Sequence, residues 1–173
     1  MSALRTFKYA SPLLVYAGAL QSFTGTGWVQ WIPLVYAWVL IPVLELLIPA
    51  NGSNLSAAEE ELARVNKTYD WLLYIIVPLQ WAAVVLFLSA VRQPLPATDL
   101  VAKTAVMGLL CGTFGINVGH ELGHRTNKTE QRLALSLLLS SLYMHFFIEH
   151  NKGHHKRVAT PDDPGSARYG EAV

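Results

Sequence analysis

The chain has one cysteine, Cys111, and it stands in an apolar run. That excludes a disulfide framework and any cysteine-based zinc or iron–sulfur site. Charge is scarce as well: Asp, Glu, Lys and Arg make up 14% of the 173 residues, against ~25% in ordinary soluble domains. The net charge of +1 gives no basis for binding nucleic acid. Histidine is missing from the first 119 residues, and no internal repeat or low-complexity segment is present. No small-residue cleavage site follows the first apolar stretch, so no removable secretory leader is expected.

Long apolar runs take up the space that charge leaves. A bilayer core of ~30 Å needs ~20 apolar helical residues, and four segments qualify. Trp71 to Val91 has no charge, and Val29 to Pro49 carries only Glu45, near its end. Leu100 to Gly119 has Lys103 near its start, where it is expected to snorkel. Ser11 to about Trp28 is the weakest, with Gln21, Thr24 and several glycines. Breaks at Gly25-Thr26-Gly27 and at Gln93-Pro94-Leu95-Pro96 predict two helical hairpins. The polar linker Asn51 to Asp70 holds "AAEEELARV", a short surface helix.

Four spans place the N-terminus, the polar linker and everything after Gly119 on one side. Arg5, Lys8, Arg64, Lys67, Arg125, Lys128, Arg132, Lys152, Lys156, Arg157 and Arg168 then share that side; only Arg92 and Lys103 of the 13 basic residues do not. The positive-inside rule makes that side cytoplasmic. Leu133 to Ile148 is apolar but only 16 residues long, ~24 Å as a helix. Spanning would carry the residues after it to the opposite face, so it is expected to lie in the interface or to re-enter. The expected fold is an all-α membrane protein: four transmembrane helices, one interfacial or re-entrant helix and a cytoplasmic His-rich face.

That face carries the chemistry. "HELGHR" sets His120 and His124 one helical turn apart, so both rings share a face. "EHNKGHHKR" adds His150, His154 and His155. On an α-helix, His150 and His154 share a face and His155 lies one step round. His145 falls outside both clusters and is read as a packing or interface residue. The pattern H-E-x-x-H is that of zinc peptidases, with the Glu as general base. Such a site needs three protein ligands and an open position, and five imidazoles are too many. A surplus of neutral nitrogen donors suits two metal ions with positions open for dioxygen, for which His-rich di-iron is the natural candidate. Glu121, Glu149, Asn117, Asp162 and Asp163 are candidates to orient the rings. Trp31, Tyr36, Trp38, Tyr74 and Trp81 are candidates to line an apolar tunnel, or else to anchor helices at the interface. Lys152, Lys156 and Arg157 either attract an acidic redox partner or serve as orientation signals and lipid contacts.

"HELGHR" at 120–125, followed by "EHNKGHHKRVATPDDPGSARYGE" at 149–171, resembles the first two histidine boxes of the membrane-bound alkane 1-monooxygenases (alkane omega-hydroxylases). Xylene monooxygenases are similar, and fatty acid desaturases share the multi-box plan without the "VATPDDPGSARYGE" tail. "IPVLELLIP" and "YDWLLYIIVPLQW" extend the resemblance upstream. It implies a non-haem di-iron site at the cytoplasmic face of the inner membrane, with His120, His124, His150, His154 and His155 as iron ligands and no other catalytic residue assigned. It implies O2-dependent hydroxylation of the terminal carbon of n-alkanes, with substrate from the lipid and electrons from rubredoxin and rubredoxin reductase. Fatty acyl desaturation or hydroxylation, xylene hydroxylation and an intramembrane zinc peptidase are the alternatives; an inactive truncated chain is another. Arg125 stands where Lys is commoner in the family. Family members carry a third box beyond the point matching Val173, so residues 1–173 are expected to be one N-terminal, C-terminally incomplete hydroxylase domain.

Overall fold

Apolar runs broken by proline and glycine fold as helices here, and no strand occurs among the described residues. The computed structural model describes residues 9, 10, 12–48, 54, 56–163, 165–167 and 170. Arg5, Lys8, Pro49 and Arg168, used in the readings above, lie outside these, as does the side chain of Arg64. The chain divides into two compact units, Met1–Cys111 and Gly112–Val173.

In the first unit, α1 (Leu13–Thr24) ends at Gly25. The Gly25 N–H bonds Gln21 O at 2.8 Å, and a Cβ at Gly25 would stand only 2.7 Å from that oxygen. Two residues later Gly27 takes φ +72°, and the chain reverses into α2 (Gly27–Leu47), as the glycine pair predicts. Helix α2 changes winding three times: a 3-10 turn over Gly27–Trp31, α over Ile32–Val35, π over Tyr36–Leu40 and α over Ile41–Leu47. Pro42 has no N–H to offer Trp38 O, so the ladder opens just before it. Helix α3 (Ala57–Arg64) starts with a capping box: Glu59 N–H bonds Ser56 Oγ, and Ser56 N–H bonds Glu59 Oε2 at 3.0 Å. That arrangement satisfies two otherwise unpaired donors. Helix α4 (Thr68–Val91) follows and tolerates Pro78 in its interior.

Helix α5 (Ala97–Gly123) is α to Leu110, π over Cys111–Ile116 and α again over Asn117–Gly123. Gly27–Leu47, Ala57–Val91 and Ala97–Gly123 are three stretches long and apolar enough to cross a membrane. The first of the four expected spans is a helix of only 12 residues, α1. Most apolar side chains of α2 are exposed, Trp28, Trp38 and Leu46 among them, as a lipid-facing helix requires.

Lys103 does not snorkel. It is buried, and its ammonium donates to the carbonyls of Ser22 (2.5 Å), Phe23 (3.3 Å) and Gly25 (2.8 Å). A helix end leaves its last carbonyls without partners, and those of α1 and the glycine that follows it are what Lys103 satisfies. A second buried polar contact joins α1 to α4: Tyr16 Oη donates to Gln80 Oε1 at 2.9 Å.

The second unit centres on the last turns of α5 and on α6 (Lys128–Ser140). Asn127 caps α6 by accepting from Thr129 N at 2.8 Å. Arg125 ties the corner, with Nη1 on Glu130 Oε1 at 2.8 Å. Gly119 and Gly123, one turn apart, lie against Ala134, Leu138 and Phe147 so closely that a Cβ at Gly119 would come within 3.1 Å of Leu138 Cγ. Small residues four apart permit this approach, and Leu122, Ala134, Leu137 and Leu138 are fully buried.

The apolar stretch 133–148 is not one helix. Helix α6 stops at Ser140, Leu142 takes φ +53°, and Tyr143 N–H bonds Leu138 O while Leu142 N–H bonds Leu139 O. That pair of bonds is a Schellman stop, here made with leucine in the left-handed position. The chain resumes as α7 over 146–157: Phe146–Ile148 in α winding, Glu149–His154 in π winding, and His155–Arg157 closing it.

Candidate metal centre

Five of the six histidines lie on two helical segments of the second unit, and four of them meet. His120 and His124 share one face of α5, as their spacing requires. His120 Nε2 lies 2.7 Å from His124 Nε2 and 2.7 Å from His150 Nε2. His124 and His150 are 3.2 Å apart at the same atoms, and His155 Nε2 is 3.0 Å from His150 Nε2. All four donor atoms lie within 4.8 Å of one another.

Elementary chemistry makes this an incomplete arrangement. A neutral ring nitrogen is either a donor or an acceptor, never both. His120, His124 and His150 form a closed triangle of Nε2 contacts. Two roles cannot alternate around three members, so at least one contact sets like against like. A cation removes the conflict by taking a lone pair from each ring. Metal–imidazole bonds are about 2.0–2.1 Å long, so two nitrogens held by one ion lie within about 4 Å of each other, as the contacting nitrogens here do. The donor set is all imidazole, suited to iron, copper, zinc or nickel, and these residues fit a bound metal ion.

Protonation favours the same role. Burial first, and then the rings of His120, His155, His124 and His154, push His150 down to about 4. Burial, followed by His120, also lowers His124, while Glu121 opposes the shift. Both rings are thereby held neutral and ready to donate lone pairs at neutral pH.

His154 is not in the group. On an α-helix it would share a face with His150, and His155 would be turned away. The π winding of Glu149–His154 aligns residues five apart rather than four. It therefore brings His155 beside His150 and swings His154 outward. There His154 Nδ1 lies 2.9 Å from both carboxylate oxygens of Asp163. Asp163 is buried and also accepts from Gly165 N at 2.9 Å and Ser166 Oγ at 2.5 Å. The Ser166 hydroxyl first, with the Gly165 N–H and His154 after it, holds the Asp163 carboxyl at about 2, against the opposing effect of burial.

Of the other residues singled out from the sequence, Glu121 pairs with Arg125 at 3.6 Å and is largely exposed. Glu149 lines a cavity of about 370 Å³ together with Tyr143, Phe146, His150, His154 and Gly165. Glu149, Asn117 and Asp162 are exposed, and none accepts a hydrogen bond from an imidazole among the described residues. His145 stands outside the group, edge-on to Tyr143. Tyr143, Phe146, His150 and His154 stack in series at 21°, 18° and 22°. The sequence reading did not single out Phe146, Gly165 or Ser166; the three- and four-residue steps from 143 to 154 were the available signal. In the first unit, Trp31 and Tyr36 line an apolar cavity of about 660 Å³ with Trp28 and Leu40, whereas Trp38, Tyr74 and Trp81 do not line it.

Comparison with known proteins agrees with the site. Residues 100–173 match the fatty acid desaturase family model. The chain is 36% identical over 167 residues to alkane 1-monooxygenase 1 of Alcanivorax borkumensis, covering 95% of this chain and 40% of that protein. It is 34% identical over 173 residues to the alkane 1-monooxygenase of Pseudomonas putida, covering 98% and 42%. A third, from Ectopseudomonas oleovorans, is 34% identical over 157 residues, covering 89% and 38%. The chain thus spans about two-fifths of the length of these relatives. With apolar helices long enough to cross a bilayer and a cluster of imidazoles able to hold a metal, the chain is similar to alkane 1-monooxygenases along nearly the whole of its own length.

Proposed function

We propose that the chain forms part of an O2-dependent hydroxylase acting on the terminal carbon of n-alkanes at a histidine-ligated, non-haem di-iron centre. The observation that carries this reading is the triangle of His120, His124 and His150 Nε2 atoms with His155 beside it, a set that only a cation satisfies. Four imidazoles converge where a hydrolytic zinc keeps three protein ligands and an open position, which argues against a peptidase. The names of the relatives point to alkanes as substrate and to monooxygenation as reaction.

Bound iron would supply dioxygen activation for C–H hydroxylation. In this reading His120, His124, His150 and His155 hold one ion, and His154 contributes to the second. Residues 1–173 act as one membrane-embedded domain, with the imidazoles at the cytoplasmic face of the inner membrane. The hydrocarbon arrives from the lipid, in which each CH2 is stabilised by about 0.8 kcal/mol relative to water. Electrons come from rubredoxin and its reductase, soluble proteins able to reach that face.

Metal analysis of protein purified from iron-supplied membranes tests the reading. Bound iron that is lost with His150→Ala supports it; one tightly held zinc that tolerates His155→Ala refutes it. For a full-length polypeptide, conversion of octane to 1-octanol with rubredoxin, its reductase and O2 is the matching assay. Hexadecane, xylene and an acyl thioester as competing substrates separate the related activities.

A further inference from the structure

The two adjacent histidines of the second box do different things, and one carboxylate accounts for the difference. His155 joins the imidazole cluster; His154 donates or accepts at Nδ1 only toward Asp163. An ionised carboxylate has no proton to give, so the bond fixes the proton on His154 Nδ1. That leaves Nε2 as the nitrogen without a partner among the described residues. Asp163 is itself held from its own loop: Gly165 N–H bonds Oδ1 and the Ser166 hydroxyl bonds Oδ2. The loop also closes on the ring, because a Cβ at Gly165 would stand 2.9 Å from His154 Nδ1 and 3.2 Å from its Cγ. From the other side His154 stacks on His150 at 22°, and both line the cavity of about 370 Å³ that Glu149 also lines.

We infer that Asp163 is a positioning residue: with Gly165 and Ser166 it locks His154 outside the four-imidazole cluster, in the one tautomer whose Nε2 can donate a lone pair. The meaning of that donor rests on the metal reading given above; the tautomer itself does not. In many metal sites a carboxylate fixes the ring behind a ligating nitrogen, and its loss costs about 10–100-fold in metal affinity or activity. Here the carboxylate is reserved for the single imidazole that the π winding turns away from the others.

The test is the tautomer of His154 in the metal-free, 15N-histidine-labelled chain in detergent, read by long-range proton–nitrogen correlation above the titration range of histidine. The wild type is expected to show a single form, protonated at Nδ1 and bare at Nε2. Asp163→Ala is expected to shift both nitrogens toward an averaged position, while His120, His124, His150 and His155 keep their signals. Should Asp163→Ala lose helicity, Gly165→Ala gives the same readout, because it forces the ring off Asp163 without removing the carboxylate. A wild-type His154 protonated at Nε2 overturns the proposal, as does an unchanged tautomer in a folded Asp163→Ala chain. Adding cobalt(II) separates the two readings. If no imidazole signal responds, the metal centre fails and the Asp163 lock stands. If the cluster binds cobalt and His154 shows no single tautomer, the lock fails and the centre stands.

Discussion

His120 and His150 stand 30 residues apart in the sequence, and their Nε2 atoms lie 2.7 Å apart. The turn of α5 that carries one and the π turn that carries the other are brought together by α6, which packs under Gly119 and Gly123 and ends in a left-handed stop at Leu142. The cluster therefore depends on the backbone path between the boxes as much as on the boxes themselves.

Removing a member of the triangle should remove the metal. His120→Ala and His150→Ala are each expected to weaken iron or cobalt binding by more than about 100-fold, beyond the cost of losing an outer partner. His145→Ala, outside the cluster, should bind as the wild type does. Metal content after dialysis against a chelator measures both. Equal retention in all three variants would mean that the metal sits elsewhere.

The glycines on α5 divide by what surrounds them. A Cβ at Gly119 meets Leu138 Cγ at 3.1 Å and Ala134 O at 3.3 Å, whereas one at Gly108 meets nothing within 4 Å. Gly119→Ala should cost about 1–3 kcal/mol through overpacking and loosen metal binding with it. Gly108→Ala should be neutral or gain about 0.5–1 kcal/mol through lost chain entropy. Unfolding midpoints in detergent read both, and a tolerated Gly119→Ala would contradict the close packing.

Acid should destabilise the metal-free second unit through His150 and His124 before it protonates Asp163. His150 is lowered from 6.5 to about 4 in the folded chain, and His124 is also lowered. Between those values the unfolded chain binds more protons, so stability rises with pH. The contribution is complete above about 6.5 and is lost as pH falls toward 4. Asp163, lowered from 3.8 to about 2, contributes stability present above 3.8 and lost only below it. Thermal unfolding recorded from pH 7 to pH 3 should show the histidine phase first, and His150→Asn should flatten it. A midpoint independent of pH between 7 and 4 would rule this out.

Lys103 should matter to the first unit out of proportion to its single charge. Lys103→Met keeps the apolar stem but leaves the carbonyls of Ser22, Phe23 and Gly25 without their donor. A buried acceptor without a partner costs about 1–3 kcal/mol. The unfolding midpoint of the variant is expected to fall by a matching amount. An unchanged midpoint would show that these carbonyls find other partners.

Local chemistry was legible where it is written in adjacent residues. The run "AAEEELARV" announced a short helix, the Gly25–Gly27 pair a reversal, and His120 with His124 a shared face. The stretches that needed tertiary information were not. Leu133 to Ile148 reads as one apolar helix, yet Leu142 takes a conformation that composition does not favour. Lys103 near a span end reads as a snorkelling cation, because nothing in its own segment shows that the last carbonyls of α1 await a donor. The pairing of His150 with His154 was expected from ordinary helical spacing. Winding is a property of the folded turn, so the letters could not reveal that His155 takes that place.

The wider coil at Glu149–His154 has an evolutionary reading. One residue fewer between His150 and His155 would restore the common pitch and keep the same two rings together, but it would erase the odd member left over. Tolerating a poorer hydrogen-bond ladder for six residues is how the protein obtains two differently aimed imidazoles from one "HH" pair.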